Sequence, residues 1–384
     1  MSLSWVEIDL DALRHNYRQA TSRLGPRTSV MGVVKSDAYG HGMLAVAEEL
    51  VSCGAVFLAV SKYWEAEELR RHGIEVPILV LLGCESDQVE PALQSGIRPA
   101  LFRMDHARLM SKTAVSLGIH APIHLKVDTG MGRLGVPVDR IGGFLDELLS
   151  LPGIVLEGVL SHFAVADERD KTFSDRQVDR FLEVLTMIAA KGWELPYAHI
   201  SNSAGILDLP HAHFQLVRPG IMLYGSPPST ELHRPAQLRP VMSFKSRILQ
   251  LKDVPPGQPV GYGRTYVTDR ASRIATVPVG YDDGYFRALS NCGQVLVRGR
   301  RAQVVGRVSM NMITVDVTHI QEAREDDEVV LLGSQGKERI TAEELAELCG
   351  TISYEIYCSI GRHRHKFYLN ASRSCLDRLR PGVV

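Results

Sequence analysis

Apolar runs and helical stretches alternate along the chain as far as Arg218. Strand-like runs fall at Val30–Val34, Val56–Val60, Pro77–Leu82, Arg98–Phe102, Ile123–Val127, Val155–Ser161, Ala198–Ser201 and Gln215–Arg218. Helical periodicity fills the intervals at Met43–Cys53, Tyr63–His72, Ser86–Ser95, Asp105–Leu117, Val138–Leu151 and Ser174–Lys191, with a short connection at Ala204–Leu209. An earlier amphipathic helix starts at Asp9, a plausible cap, with Leu10, Leu13 and Tyr17 at helical spacing. Strand and helix in alternation imply parallel strands joined by right-handed crossovers. Eight such strands predict an α/β fold of the (β/α)8 TIM-barrel type. An open doubly wound sheet is the weaker reading, since no G-x-G-x-x-G turn follows the first strand.

The pattern changes after Gly225. Ser226–Arg239 reads as a linker, with prolines at 227, 228 and 235 and another at 240. Beyond it come predicted strands Met242–Leu251, Ser272–Val279, Gln294–Val297, Gln303–Val308, Met312–Val317 and Glu328–Leu332, punctuated by turn residues. One helix interrupts them, headed by Thr341 with Glu344 three residues on, a capping-box pattern. The expected organisation is a barrel over residues 1–235 and a mostly β C-terminal domain over 236–384.

Composition narrows the function classes. A net charge of -1 over 384 residues argues against nucleic-acid or membrane-surface binding, both of which need a basic face. No run approaches the ~18 apolar residues of a membrane span, and the N-terminus, with Glu7 and Asp9 early, lacks a signal peptide's basic start. Six scattered cysteines with no C-x-x-C pair read as reduced thiols of a cytoplasmic protein. His363 and His365, within a basic run of five residues, read as an exposed edge strand, and no metal site is expected.

Barrel enzymes place their chemistry at the C-terminal ends of the strands. There this chain carries Lys35 and Tyr39 after strand 1, Lys126 to Gly135 around strand 5, and His162 after strand 6. Asn202-Ser203 follow strand 7, and Arg218-Pro219-Gly220-Ile221 follow strand 8. Lysine forms imines with carbonyl compounds, yet a strand-end lysine reaching for water is the plainer reading of Lys35 alone. The loops after strands 7 and 8 change that balance. They commonly bind phosphate in barrels, Ser203 offers a hydroxyl, Gly220 lets the backbone approach an anion, and strand 8 neighbours strand 1. Singly, Ser203 is also a helix cap and Gly220 a turn residue. A lysine beside a phosphate pocket suits a phosphorylated aldehyde.

Several stretches together resemble the alanine racemase family. They are Trp5 to Leu10, Val34-Lys35-Ser36-Asp37-Ala38-Tyr39-Gly40-His41-Gly42, Lys126 to Gly135, Ser161-His162-Phe163, Ser201-Asn202-Ser203-Ala204 and Arg218 to Gly225. Further along come Gly261-Tyr262-Gly263, Gly280-Tyr281-Asp282-Asp283-Gly284 and Gly306 to Met310. The resemblance implies interconversion of L- and D-alanine with pyridoxal phosphate, supplying D-alanine for peptidoglycan. It implies that Lys35 holds the cofactor and acts as one base, and that Tyr262 is the opposite-face base, delivered from the other subunit of a homodimer. Tyr39, Ser203, Gly220, Ile221 and Tyr354 would bind the phosphate, Arg218 the pyridine nitrogen, and His162 and Asn202 the ring. Arg133 would lie near the phenolic oxygen with Lys126 behind it. Tyr281 and Met310 would shape the substrate mouth from the partner subunit. Without the family pattern, Tyr262 reads as a turn aromatic, Arg133 and Lys126 as surface charges, and Tyr281 as a packing residue. Two positions depart from the family: Asn311 follows Met310 where Asp is usual, and Gly261 precedes Tyr262 where Ser is usual. The alternatives are a racemase of broader specificity (serine or basic amino acids), a related barrel decarboxylase, and a cofactor carrier, which normally lacks a C-terminal β domain.

Overall fold

The computed structural model describes residues 3–363 and 365–371. The domain limits at 1 and 384, Arg364 of the basic run and Cys375 fall outside the described residues.

In chain order the main elements are β1 (Ser4–Asp9), α1 (Leu10–Thr21), β2 (Ser29–Val33), α2 (Met43–Ser52), β3 (Phe57–Val60), α3 (Tyr63–Arg71), β4 (Ile78–Val80), α4 (Val89–Gln94), β5 (Ile97–Leu101) and α5 (Met104–Leu117). Then come β6 (Ala121–Asp128), α6 (Ile141–Ser150), β7 (Ile154–Leu160), α7 (Thr172–Ala190), β8 (Tyr197–His199), α8 (Ser203–Asp208) and β9 (Leu216–Val217). The second half contains β10 (Met242–Arg247), β11 (Gln250–Val254), β12 (Ser272–Val277), β13 (Gln294–Val297), β14 (Arg300–Val304), β15 (Ile313–Asp316), β16 (Glu328–Gln335), α9 (Ala342–Cys349), α10 (Ser353–Ile360) and β17 (Lys366–Leu369).

Strands β2 to β9 form a parallel sheet in the order β9-β2-β3-β4-β5-β6-β7-β8. The backbone closes it, with Gln215 N–H donating to Ala198 O (3.2 Å) and Arg218 N–H to Ser201 O (2.9 Å). The eight predicted strands are all present, each within a few residues of its expected limits. Their runs are apolar on both faces because helices cover the outside and side chains fill the inside; all four residues of β3, for example, are buried. The second sheet runs β11-β12-β15-β14-β13-β16-β10-β1-β17 and is antiparallel except where β17 pairs with β1.

Four features depart from the expectation. Residues 4–9 belong to the second sheet: β1 pairs antiparallel with β10, so the chain begins in one domain and crosses into the other at Asp9. Asp9 does cap α1, accepting from Asp11 N–H (2.9 Å) and Ala12 N–H (3.3 Å). The run 242–251 is two strands, because the chain turns at residues 248–249. In the basic run, β17 is an edge strand and His365 is exposed. His363, however, is buried, its Nε2 2.9 Å from Ser4 Oγ and its ring against Phe244. The expected cap of α9 forms only in part. Thr341 Oγ1 accepts from Glu344 N–H (3.1 Å), but the Glu344 carboxylate turns away to Arg301.

Candidate active site

A cavity of about 470 Å³ opens at the C-terminal ends of the barrel strands. Lys35 enters it from the end of β2. The stretch after Lys35, which the sequence presents as a loose polar loop, is a turn of left-handed helix. Ser36, Asp37, Ala38 and Tyr39 have φ of 56, 55, 53 and 55°, and Gly40 continues at 82°. Left-handed backbone costs a non-glycine residue roughly 1–2 kcal/mol, so the surroundings must over-determine it. They do: Ala38 N–H donates to Val34 O (2.9 Å) and Gly40 N–H to Ser36 O (3.0 Å). Asp37 accepts from Met43 N–H (2.7 Å) and from Lys366 Nζ (3.0 Å) on β17, which carries the second domain's sheet to this turn. Glu65, buried at the start of α3, accepts from Ser36 N–H on one oxygen and from Ser61 and Lys62 N–H (2.8 and 2.9 Å) on the other. Burial, with Arg133 adding to it, pulls the Lys35 amine below its ordinary range, while Glu65 works against this.

Arg218 is buried beneath the cavity. Its Nη1 donates to His199 O (2.9 Å) and His199 Nδ1 (2.7 Å), and its Nη2 to Ser161 O (2.6 Å), Ile200 O (2.9 Å) and His162 Nδ1 (3.3 Å). These contacts use the four terminal N–H groups and leave Nε–H as the donor available to the cavity. Burial pushes Arg218 down to about 9, which still leaves it cationic at neutral pH. Burial and the neighbouring Arg218 hold His162 well below the ordinary imidazole range, so it accepts as a neutral ring. Lys126 also lines the cavity and is buried, contrary to the surface-charge reading. Burial, Arg218 and Arg133 bring it down to about 8. Arg133 is exposed as a residue yet borders the same space.

Another wall of the cavity is a cradle formed by Ser203 and Gly220. Ser203 Oγ accepts from Gly220 N–H (3.0 Å) and Met222 N–H (3.4 Å), which joins the start of α8 to the short 3-10 turn Ile221–Tyr224. The capping role belongs to Asn202, whose Oδ1 accepts from Gly205 N–H (3.0 Å). Gly220 has an ordinary φ of −122°. What demands glycine is space, since a Cβ would lie 2.5 Å from the Tyr39 hydroxyl. Tyr39 packs against Tyr354 of α10, ring centres 5.9 Å apart, and Tyr354, Asn202 and Ile221 all line the cavity. Cys358, one turn after Tyr354, also faces it. Nothing in the sequence marks Cys358 or Glu65 for the site: a cysteine on a helix and a glutamate at a helix start both have ordinary explanations.

Three expected site residues stand elsewhere. Tyr262 (73% exposed), Tyr281 and Met310 lie on the second domain, outside the cavity that holds Lys35. Tyr281 and Met310 belong to paired loops, with Tyr281 N–H donating to Ser309 O (3.1 Å) and Asp282 N–H to Met310 O (3.0 Å). Tyr262 follows Gly261, whose φ of 75° and ψ of −176° lie in a region reserved for glycine.

Comparison with known proteins gives this geometry a family. The family model "Alanine racemase, N-terminal domain" matches residues 8–228, and "Alanine racemase, C-terminal domain" matches 241–368. An alanine racemase of Syntrophobacter fumaroxidans is 66% identical over 370 residues, covering 96% of this chain and 98% of that protein. One from Halothermothrix orenii is 46% identical over 96% of this chain and 97% of that protein. Among solved structures, the alanine racemase of D-cycloserine-producing Streptomyces lavendulae superposes with a TM-score of 0.91 at 37% identity, covering 98% of this chain and 99% of that one. The Bacillus anthracis enzyme with bound L-Ala-P gives 0.90 at 35%, covering 97% and 96%. With both domains matched and close relatives aligned almost end to end, the chain belongs to the alanine racemase family.

Proposed function

We infer that this protein is a pyridoxal-phosphate-dependent isomerase that interconverts L- and D-alanine, and that it works as a homodimer whose subunits share each active site. The observation that carries the reading is the meeting, in one cavity, of the half-buried Lys35, the buried Arg218 and the Ser203–Gly220 cradle.

The residues fit the cofactor by their chemistry. Lys35 is a primary amine whose burial favours the uncharged, nucleophilic form. The cradle offers hydroxyls of Ser203, Tyr39 and Tyr354 beside the Gly220–Ile221 backbone, in a space kept open by the missing Cβ. Lys126, Arg133 and Arg218 make the cavity cationic, suited to a phosphate and an amino-acid carboxylate. When bound, pyridoxal phosphate supplies a conjugated system that takes up electrons from the substrate's α C–H bond. Arg218 would donate a hydrogen bond to the pyridine nitrogen without giving up its proton, which limits that electron uptake and disfavours side reactions.

Racemisation removes a proton from one face of the α-carbon and returns one to the other. Lys35 Nζ serves one face. Within the cavity, Tyr39, Tyr354 and His162 do not match it: burial holds both tyrosines in the neutral form, and His162 is tied to Arg218. Tyr262 of the partner subunit serves the second face, which accounts for the exposure of Tyr262 in the single chain. Tyr281 and Met310 border the substrate's path from that same partner. The five described cysteines are free thiols, which supports a reducing, cytoplasmic setting where D-alanine is made for peptidoglycan. No helix among the described residues is long and apolar enough to cross a membrane.

The test is chiral analysis of purified protein with pyridoxal phosphate and L-alanine, alongside L-serine, L-lysine and L-arginine. D-alanine should form fastest and vanish in Lys35→Ala. Faster racemisation of serine or a basic amino acid would move the protein to the broader-specificity class. Released CO₂ without D-alanine would sink the racemase reading.

A further inference from the structure

Behind Arg218 a line of polar side chains runs through the interior of the barrel. His199 Nδ1 lies 2.7 Å from Arg218 Nη1, and His199 Nε2 lies 2.8 Å from His124 Nδ1. His124 Nε2 lies 3.3 Å from Glu157 Oε2, and Arg98 holds the Glu157 carboxylate through Nε (3.2 Å) and Nη2 (3.4 Å). His199 and His124 are fully buried. The His124 ring touches Phe57 on β3 and Tyr197 on β8, strands that are not neighbours, so it lies inside the barrel. The line ends on the side away from the cavity, where Arg98 Nη1 also donates to Gly96 O (2.5 Å), just before β5 begins.

The hydrogen-bond roles follow from the ends of the line. Guanidinium only donates and carboxylate only accepts. His199 Nδ1, facing Arg218, must therefore be bare, which puts the proton of a neutral ring on Nε2. That N–H then donates to His124 Nδ1, which must also be bare, and His124 Nε2–H donates to Glu157. A second proton on His199 would set N–H against the Arg218 N–H, and one on His124 would do so against His199. Every member points the same way. The strand is shaped for this, since a Cβ at Gly158 would come 2.6 Å from His124 Nδ1.

We propose that His199, His124 and Glu157 are positioning residues for Arg218, a one-way hydrogen-bond chain that fixes the guanidinium in place and locks both imidazoles in the neutral Nε2–H form. Among the described residues Arg218 has no carboxylate partner; its partners are carbonyls and imidazoles. Losing the chain's polarity frees His199 to put a proton on Nδ1, which displaces Nη1 and with it the Nε–H that the cavity receives. This deepens the proposed function and rests on it for what Arg218 does to the cofactor.

Neutron diffraction of the holoenzyme tests the chain directly. Deuterium should appear on Nε2 and not on Nδ1 of both His199 and His124. A doubly protonated ring, or Nδ1 protonation at either position, overturns the proposal without touching the racemase reading. His124→Phe should lower kcat about tenfold with KM changed less than twofold, and should shift the absorbance of the bound cofactor, because a displaced Arg218 misaligns the ring. Glu157→Gln, which keeps an acceptor for His124, should stay within about threefold of the parent. If His124→Phe binds cofactor with an unmoved spectrum and unchanged kcat, Arg218 is not positioned by the chain. If that variant does not fold, the deuterium positions and the Glu157→Gln kinetics decide.

Discussion

The Glu65 carboxylate accepts the backbone N–H of Ser36, the residue next to Lys35, at 2.5 Å. Its other oxygen caps α3, so one side chain ties the left-handed turn to a helix of the barrel. Glu65 is buried, and the three backbone N–H groups it accepts from form part-buried hydrogen bonds with it. Glu65→Gln places an N–H against one of those donors, and Glu65→Ala leaves all of them unpaired, at about 1–3 kcal/mol for each buried group. Both variants should lose thermal stability, Glu65→Ala more, and both should bind pyridoxal phosphate more weakly. A Glu65→Ala protein with parental melting temperature and cofactor affinity would show that the turn holds itself.

Lys126 makes stability depend on pH with a known sign. Its folded value of about 8 lies below the ordinary 10.5 because burial and neighbouring cations disfavour the charged form. Below pH 8 folded and unfolded chains both carry the proton, and the folded state bears the full penalty. Between 8 and 10.5 the unfolded chain holds more protons, so stability rises with pH. The penalty is about 3 kcal/mol. Lys126→Met in the cofactor-free protein should therefore be more stable than the parent at pH 7, and the gap should close toward pH 10. Urea midpoints at several pH values measure this, and a gap independent of pH would contradict it.

Much of this was readable in the chain. The eight barrel strands announce themselves as apolar runs because both faces are covered. Lys35, Ser203, Gly220 and Arg218 are marked by their places just past the ends of barrel strands. What stayed hidden depends on distant partners. β1 looks like a lead-in to α1 because its partners are residues 242–246 and 366–369, at the far end of the chain. Ser36-Asp37-Ala38-Tyr39 carries no glycine to betray its left-handed backbone, which is imposed by Glu65 and Lys366 from outside. Tyr354 came only from family resemblance, since nothing local marks α10 as a wall of the site. His199 and His124 read as strand residues until the barrel closed around them.

Gly261 is more than a missing hydroxyl. At φ 75° and ψ −176° a side chain is strained by the backbone alone, since an added Cβ would meet its nearest neighbour, Arg307 N, at an ordinary 3.4 Å. Gly261→Ser, which restores the family's usual residue, should cost roughly 1–3 kcal/mol if the backbone keeps its course. If the backbone yields instead, Tyr262 is re-aimed, and kcat should change more for one direction of racemisation than for the other. A variant with parental stability and both rates unchanged would mean that this loop adapts freely.

The shared active sites proposed above make a prediction that no single-chain enzyme satisfies. Lys35→Ala and Tyr262→Phe homodimers should each be nearly inactive, since each lacks one of the two acid/base groups at every site. A mixed dimer has two different sites. One joins the mutated lysine to the mutated tyrosine, and the other joins intact Lys35 from the Tyr262→Phe chain to intact Tyr262 from the Lys35→Ala chain. Random re-association of equal amounts makes about half the dimers mixed, each with one intact site of two, so about a quarter of parental activity should return. Denaturing and refolding the two inactive proteins together, against each refolded alone, reads this out. Recovery of no activity from a mixture that demonstrably contains mixed dimers would place both groups of each site in one chain.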